Sequence, residues 1–552
     1  MKDSEYFQDG TDSSPKNGLS ELEKANSETA IPEVVEEGII HQTSNSLSRS
    51  LRGRHMQMIA MGGSIGAGLF VGSGSALATG GPASLVLGFI IVGSMLLCTI
   101  QALAELAVLY PVNGAFFTYT VRFVDPSLGF AIGWDYAVAW LTVLPFELTT
   151  AAITIGFWNT SINMAVWVSI FLFLLIVIQV FGVRGYGEVE FILGMIKVTG
   201  IIGFIILGII IDCGGTGPQG YLGAKYWYNP GAFIGGFPGF CSVFVVAAFA
   251  FGGTELVGLT AAEAANPRKS IPQAAKQVFW RIALFYVISL LLVGLIVPSN
   301  DPHLINATGG NSKYSPFVIA IKLAGIKVLP SIFNSIITVS VISVANSCTF
   351  GSTRTMQALA ERGMGPKFLS YIDTKGRPIW GVAIQLAFGF LAYLGESNQE
   401  VNVFNWLLAL SGLAFFFIWG AICLSHIRFR HGWKVQGHSK AELPYQAMFG
   451  VAGSWYGLFI CMLCIIATFY TSLFPIGSGP TAEYFFENFL AGPVVIGLYI
   501  GRKIYSRRWR LWIPANEMDL TSGLRCLQID EDEEPVKKTW KNLPFRLFHA
   551  VF

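Results

Sequence analysis

The chain has 552 residues, 53% of them hydrophobic and only 13% charged, with a formal net charge of +2. That charged share is about half of what a soluble domain carries, and no water-soluble fold could hide so much apolar surface. The small net charge argues against nucleic-acid binding, so the placement of the charges says more than their sum.

The first fifty residues are polar, rich in Ser, Glu and Asn, and nearly free of aromatics, which reads as a disordered tail. They lack the apolar core of a signal peptide, which places them in the cytosol ahead of the first span. From Met56 to Tyr505 long apolar runs recur with short connectors. They predict six spans near 57–78, 83–109, 128–156, 163–182, 189–211 and 234–262. Six more follow near 278–298, 331–352, 380–395, 403–424, 447–473 and 484–503. Each approaches the twenty apolar residues that a bilayer core requires, apart from the short ninth. The domain reading is therefore a tail over 1–50, an all-α membrane domain of twelve helices over 51–505, and a second cytosolic tail over 506–552.

Orientation follows from Lys and Arg, which favour the cytosolic side. With both ends inside, only Lys225, Lys313, Lys322 and Lys327 fall in outer loops, and Lys197 lies inside a span. The sequon Asn306-Ala307-Thr308 falls in a predicted outer loop, where a glycan could be added. The eight cysteines form no disulfide framework. Cys461 and Cys464 have a C-x-x-C spacing without a second pair or a basic neighbour, and read as two small side chains on one helix face.

The first span contains Gly62-Gly63-Ser64-Ile65-Gly66-Ala67-Gly68. Each Gly costs about 1 kcal/mol against Ala inside a helix, so the cluster suits a helix that breaks there. A break at membrane depth frees backbone N–H groups that must face protein or a wet cavity, where a helix N-terminus binds a carboxylate. Close packing through Gly62 and Gly66 is the alternative for this segment alone. The sixth span decides between them, because Phe249-Ala250-Phe251-Gly252-Gly253-Thr254-Glu255 places a second interruption five spans later. Paired breaks point to two inverted five-helix repeats, about 57–211 and 234–424, with helices 11 and 12 (about 447–503) added and a midplane site between the breaks. Carbonyls of the sixth span would accept from a ligand ammonium while N–H groups of the first hold its carboxylate.

Gly66-Ala67-Gly68 and Gly72-Ser73-Gly74 lack the third glycine and the βαβ context of a dinucleotide site. No Walker motif is present, which argues against ATP as the energy source, and no nucleophile–base pair is recognisable, so the chain does not read as an enzyme. Ionisable residues within spans are costly and usually functional. Those singled out, in or at the edge of spans, are Glu105, Asp135, Glu147, Lys197, Glu255 and Glu263. Glu105, near a cytosolic end, reads as structural, whereas carboxylates and Lys197 are the candidates for carrying a proton. Lys197 held in a permanent ion pair is the alternative. Glu255 and Glu263, eight apart, share one face of a continuous helix. Phe251, beside the break, is the aromatic that best suits a gate.

The runs Arg54–Gly74, Phe249–Pro272, Asn346–Pro378 and Val403–Arg430 resemble the fungal amino acid permeases of the amino acid/polyamine/organocation superfamily, over roughly residues 45–525. The resemblance implies the five-plus-five inverted-repeat fold of the bacterial leucine transporter and import of L-amino acids at the plasma membrane by proton symport, with broad specificity. The proton gradient is the energy source and no cofactor or metal is implied. Ser64, Ile65, Gly66, Ala67 and Gly68 match the carboxylate-binding segment; Phe249, Ala250, Phe251 and Thr254 match the amino-group and gating segment. Glu255 and Glu263 match acids implicated in binding or coupling, and Lys197 resembles a fifth-helix lysine that stands where sodium-driven relatives hold sodium. With these goes Glu147 as a coupling candidate, and Ser411, Gly412 and Leu413 as pocket-lining candidates. Lys16 and Lys24 resemble ubiquitin acceptors, which implies ubiquitin ligase machinery as a partner beside substrate, proton and lipid. The chain ends His549-Ala550-Val551-Phe552 rather than in the family's Phe-Trp-Cys lipidation signal. A non-transporting amino acid sensor, or a transporter of another amine such as a polyamine or choline, are the alternatives.

Overall fold

Backbone polar groups at membrane depth must be satisfied within their own segment or by neighbouring protein, which leaves helices as the natural element. Every regular element among the described residues is indeed helical. The computed structural model describes residues 53–158, 161–216, 220–264, 266–305, 315–396, 400–477 and 479–524. All belong to the unit Leu47–Phe552. The N-terminal tail with Lys16 and Lys24, the Asn306 sequon, Cys526 and the chain's last residues lie outside the described residues.

In chain order the helices are α1 (Gly53–Gly62), α2 (Ser73–Leu109), α3 (Ala115–Phe123), α4 (Pro126–Ile155), α5 (Met164–Val180) and α6 (Gly182–Asp212). Then come α7 (Gly236–Phe251), α8 (Leu256–Leu259), α9 (Pro267–Arg281), α10 (Ser289–Ile296), α11 (Pro302–Ile305) and α12 (Pro316–Leu323). The last are α13 (Leu329–Glu361), α14 (Ile379–Gly389), α15 (Glu400–Val435), α16 (Gly450–Leu473), α17 (Ala482–Phe489) and α18 (Ala491–Ser506).

Among the described residues eight helical stretches are long and apolar enough to cross a membrane, or nine if α17 and α18, bent by 71°, form one span. All twelve predicted segments fall on helix. The lower count arises because α2 joins the end of the first segment to the second, and because Met164–Val180 and Ile379–Leu394 are short. The join is not a straight helix: Gly81 has φ 82°, and Pro82 follows it. At this corner Ala83 donates to the Ala232 carbonyl and Ile234 to the Gly80 carbonyl, each at 2.9 Å. A Cβ on Gly81 would stand 2.7 Å from the Ala232 oxygen, so the corner admits no side chain.

Two helices outrun their predicted ends. α13 continues to Glu361 and α15 to Val435, because Met356 and Leu359, and Phe429 and Trp433, are still buried there. Hydropathy stops where polar residues begin, but an amphipathic turn packs on.

α4 lies along α13, and α2 lies along α7, forming the centre of the bundle. In the most apolar window of α4, 83% of residues are buried within the protein; in α16 only 28% are. Phe173, Phe181, Ile206 and Ile466 are exposed side chains of the kind that lipid solvates. Cys461 and Cys464 are free cysteines on the buried face of α16.

Candidate functional site

α1 stops at Gly62, where Gly63 still donates to the Ile59 carbonyl at 3.0 Å, and helix resumes only at Gly68. α7 stops at Phe251; Gly253 then takes φ 93°, a left-handed value, before the single turn of α8. The two interruptions touch. A Cβ on Gly253 would lie 2.4 Å from the Gly63 carbonyl oxygen, and one on Gly68 would lie 2.6 Å from the Ala250 Cα. Glycine is thus required at Gly253 twice over, for its φ and for this approach. The Tyr286 hydroxyl lies 2.9 Å from both the Ser64 and the Ala250 carbonyl oxygens, one from each break. One proton is shared between two acceptors, so the strap tolerates motion of either.

Between the breaks lies a cavity of about 10 Å³, room for about one water. Gly66, Gly68, Trp140, Glu147, Phe249 and Phe415 line it. The Phe415 ring covers Gly252, where a Cβ would meet Cε2 at 2.4 Å. Phe249 packs edge-on against Phe146 at 4.9 Å. Phe251, expected at the gate, lies behind the break instead, its ring 4.4 Å from that of Tyr286 and 5.5 Å from that of Phe89. Ile65 and Ala67 are buried, and Thr254 returns its hydroxyl to the Phe251 carbonyl at 2.9 Å. Of the tenth-span candidates, Ser411 bonds Thr142 at 3.1 Å, Leu413 is buried and a Cβ on Gly412 would touch Val245; Phe415, two residues further on, is the one that reaches the cavity.

The buried charges separate into distinct places. Lys197, fully buried on α6, donates to the Gly62 carbonyl at 2.6 Å. This is an unpaired carbonyl at a helix C-terminus, where a cation is favoured. Among the described residues Lys197 makes no ion-pair contact; Glu190 and Glu147 are the acids whose charges act on it. Glu147 reaches the first break: a Cβ on Gly66 would lie 3.4 Å from its Oε1, the Ala67 amide interacts with the carboxylate, and Oε2 has no hydrogen-bond partner. Asp135, also buried, has an Oδ2 without a partner.

Glu255 and Glu263 do not share a site, since the four residues of α8 give way to a 3₁₀ turn over Thr260–Glu263. Glu255 braces the second break, accepting from Tyr136 and from the Gly253 amide at 3.1 Å and from Trp419 at 3.3 Å. Glu263 pairs with Arg354 of α13 at 2.9 Å. Glu105 meets Arg430 at 2.6 Å and His426 at 2.9 Å and accepts from the Ala447 amide at 2.7 Å, a structural knot between α2, α15 and the segment before α16.

Sequence reasoning missed Glu190, Tyr286, Arg281 and the cavity aromatics Trp140 and Phe415. Glu190 is fully buried, accepts from Ser343 and, at 3.0 Å, from Asn346, and crowds Gly62, where a Cβ would fall 1.6 Å from Oε1. Its signal was its spacing: seven residues before Lys197, two helical turns on one face. Arg281, buried in the last turn of α9 with Nη2 unpartnered, acts on Tyr286 and Glu255.

The amino acid permease family model matches residues 55–515. The general amino-acid permease GAP1 of Saccharomyces cerevisiae is 52% identical over 490 residues, 88% of this chain and 81% of that protein. Cationic amino acid transporter 1 of Schizosaccharomyces pombe is 50% identical over 519 residues, 93% of this chain and 87% of that protein. A manganese transporter of Eremococcus coleocola, solved with an aromatic bis-isothiourea compound, shares the fold with a TM-score of 0.53 at 15% identity, over 83% of this chain and 95% of that one. The chain is a multi-pass membrane protein with paired helix breaks, and it belongs to the amino acid permease family.

Proposed function

We propose that this protein imports L-amino acids across a fungal plasma membrane by proton symport, with both termini in the cytosol and the two breaks as its moving parts. The observation that carries the reading is the direct contact of the breaks, Gly63 against Gly253 and Gly68 against Ala250, around a cavity with Glu147 in its wall. Backbone N–H groups over Ser64–Gly68 meet the substrate carboxylate, and carbonyls of the last turn of α7, Phe249–Phe251, meet its ammonium, so a zwitterion satisfies both. About 10 Å³ is far too little for an amino acid, so this conformation is closed and the breaks must part to load.

Lys197 supplies the coupling. When protonated it holds the C-terminal end of α1 by charge and hydrogen bond; when neutral it loses the charge–dipole part of that hold, and α1 can swing. Glu147 and Glu190 are the acids whose charges act on this switch, whereas the bonds of Glu255 and the Arg354 pair of Glu263 favour bracing roles for those two acids. The similarity to relatives named for general and for cationic amino acid transport supports a broad substrate range. Radiolabelled uptake in permease-deficient cells tests the function: pH-dependent accumulation supports it, and binding without accumulation favours a sensor.

A further inference from the structure

α18 ends at Arg507, whose φ of 52° turns the chain back on itself. The returning strand is pinned where Ile513 donates to the Val124 carbonyl at 2.9 Å and Arg428 to the Ile513 carbonyl. Lys503 pins it again, pairing with Asp125 at 3.0 Å while donating to the Arg510 carbonyl. Asp125 in turn caps α4 through the Leu128 amide at 3.1 Å. These bonds hold open a cavity of about 790 Å³, lined by Arg502, Arg507, Arg508 and Arg510 together with Trp509 and Trp512.

The two acids of this cavity are already answered, Asp125 by Lys503 and Glu517 by Arg510 at 3.2 Å. Arg502 lies over the rings of Phe130 and Tyr505 at 5.2 and 5.5 Å, and among the described residues Arg507 and Arg508 have no acid partner. Among the described residues three guanidinium groups therefore line one cavity without an acid in ion-pair contact, and their fork geometry suits phosphate oxygens. Around them Trp509, Trp512, Leu511 and Tyr505 are exposed, and Ile500 and Ile504 face outward along α18. Aromatic side chains at the end of a membrane helix mark the headgroup level, and aliphatic ones beyond it mark the acyl region.

We propose that this cavity binds an anionic phospholipid of the cytosolic leaflet whose headgroup carries phosphomonoesters, of the phosphatidylinositol bisphosphate class. The inference rests on the cytosolic placement of this end of the chain, not on amino acid import. Its charge surplus fits a multiply charged headgroup better than a singly charged one, and the exposed apolar rim commits it to a lipid rather than a soluble phosphate.

The test is native mass spectrometry of the purified full chain titrated with short-chain phosphatidylinositol bisphosphate, phosphatidylserine, phosphatidylcholine and soluble inositol trisphosphate. The bisphosphate lipid should bind in preference to the other three. Replacing Arg502→Gln, Arg507→Asn and Arg508→Gln together should weaken it on the order of a hundredfold, and Arg508→Gln alone about fivefold. Asn suits the backbone at 507, and Arg507 and Arg508 are exposed whereas Arg502 is half-buried over Phe130, so thermal unfolding should be unchanged in Arg508→Gln; if the triple variant fails to fold, the single one still decides. Trp509→Ala should weaken lipid but not the soluble headgroup. Unchanged affinity in the arginine variants, or inositol trisphosphate binding as tightly as the lipid, would overturn the proposal.

Discussion

Glu105 and Glu190 are equally buried, yet their surroundings differ. Glu105 has the Arg430 guanidinium in ion-pair contact, the His426 ring at 2.9 Å and a backbone amide besides. The donors that Glu190 has are neutral, Ser343 and Asn346, and the nearby cation, Lys197, is bound to the Gly62 carbonyl rather than to the acid. A buried carboxylate matched by cations fixes one geometry; one held by neutral donors next to a separately tethered amine leaves a charge free to move. Glu263 with Arg354 belongs with the first kind, and Glu147, which among the described residues has no cation in ion-pair contact, with the second. The matched group lies where helices end, the unmatched group where helices break.

The comparison is most severely tested at the break itself. Gly66→Val drives a side chain into Val344, 2.4 Å from where a Cβ would stand. Overpacking of this kind should lower uptake on the order of a hundredfold with surface expression intact. Uptake at the normal rate would remove the carboxylate assignment. Next come Lys197→Ala and Glu190→Gln: each should abolish pH-driven accumulation while exchange of labelled for unlabelled substrate continues. Accumulation that survives both changes would place the coupling group elsewhere.

Glu105→Gln probes the matched kind. Removing one member of a buried pair costs about 3–5 kcal/mol, so thermal unfolding of the purified protein should fall while uptake per surface molecule and its pH dependence persist. The opposite pattern, normal stability with lost pH dependence, would erase the distinction. Phe415→Ala opens the wall over Gly252 and should change KM among amino acids of different size by about tenfold or less. The smallest effect is expected far from both groups, where Ile466→Ala on the exposed face of α16 should alter stability by about 0.5 kcal/mol at most.

Much of this is legible in the sequence. Apolar length located the helices, because a bilayer demands about twenty residues per crossing, and the two glycine clusters marked the breaks, because their paired placement five spans apart goes beyond what close packing explains. Contacts between distant segments were not legible. Nothing local distinguishes Phe249, which reaches the cavity, from Phe251, which packs on Tyr286; the rotation of α7 decides that. Glu190 was passed over because it lies at the polar edge of a span, where hydropathy treats acids as solvated. A shared face for Glu255 and Glu263 holds only along continuous α-helix, and a 3₁₀ turn follows α8.

The account's central claim is that one zwitterion is held by the backbone of both breaks. The most direct measurement is a density map of the protein with a bound amino acid. The carboxylate should lie within hydrogen-bond distance of amides in the 64–68 segment and the ammonium within reach of carbonyls in the 249–251 segment, with the two breaks further apart than here. A substrate seated away from both, with Gly63 still against Gly253, would contradict it.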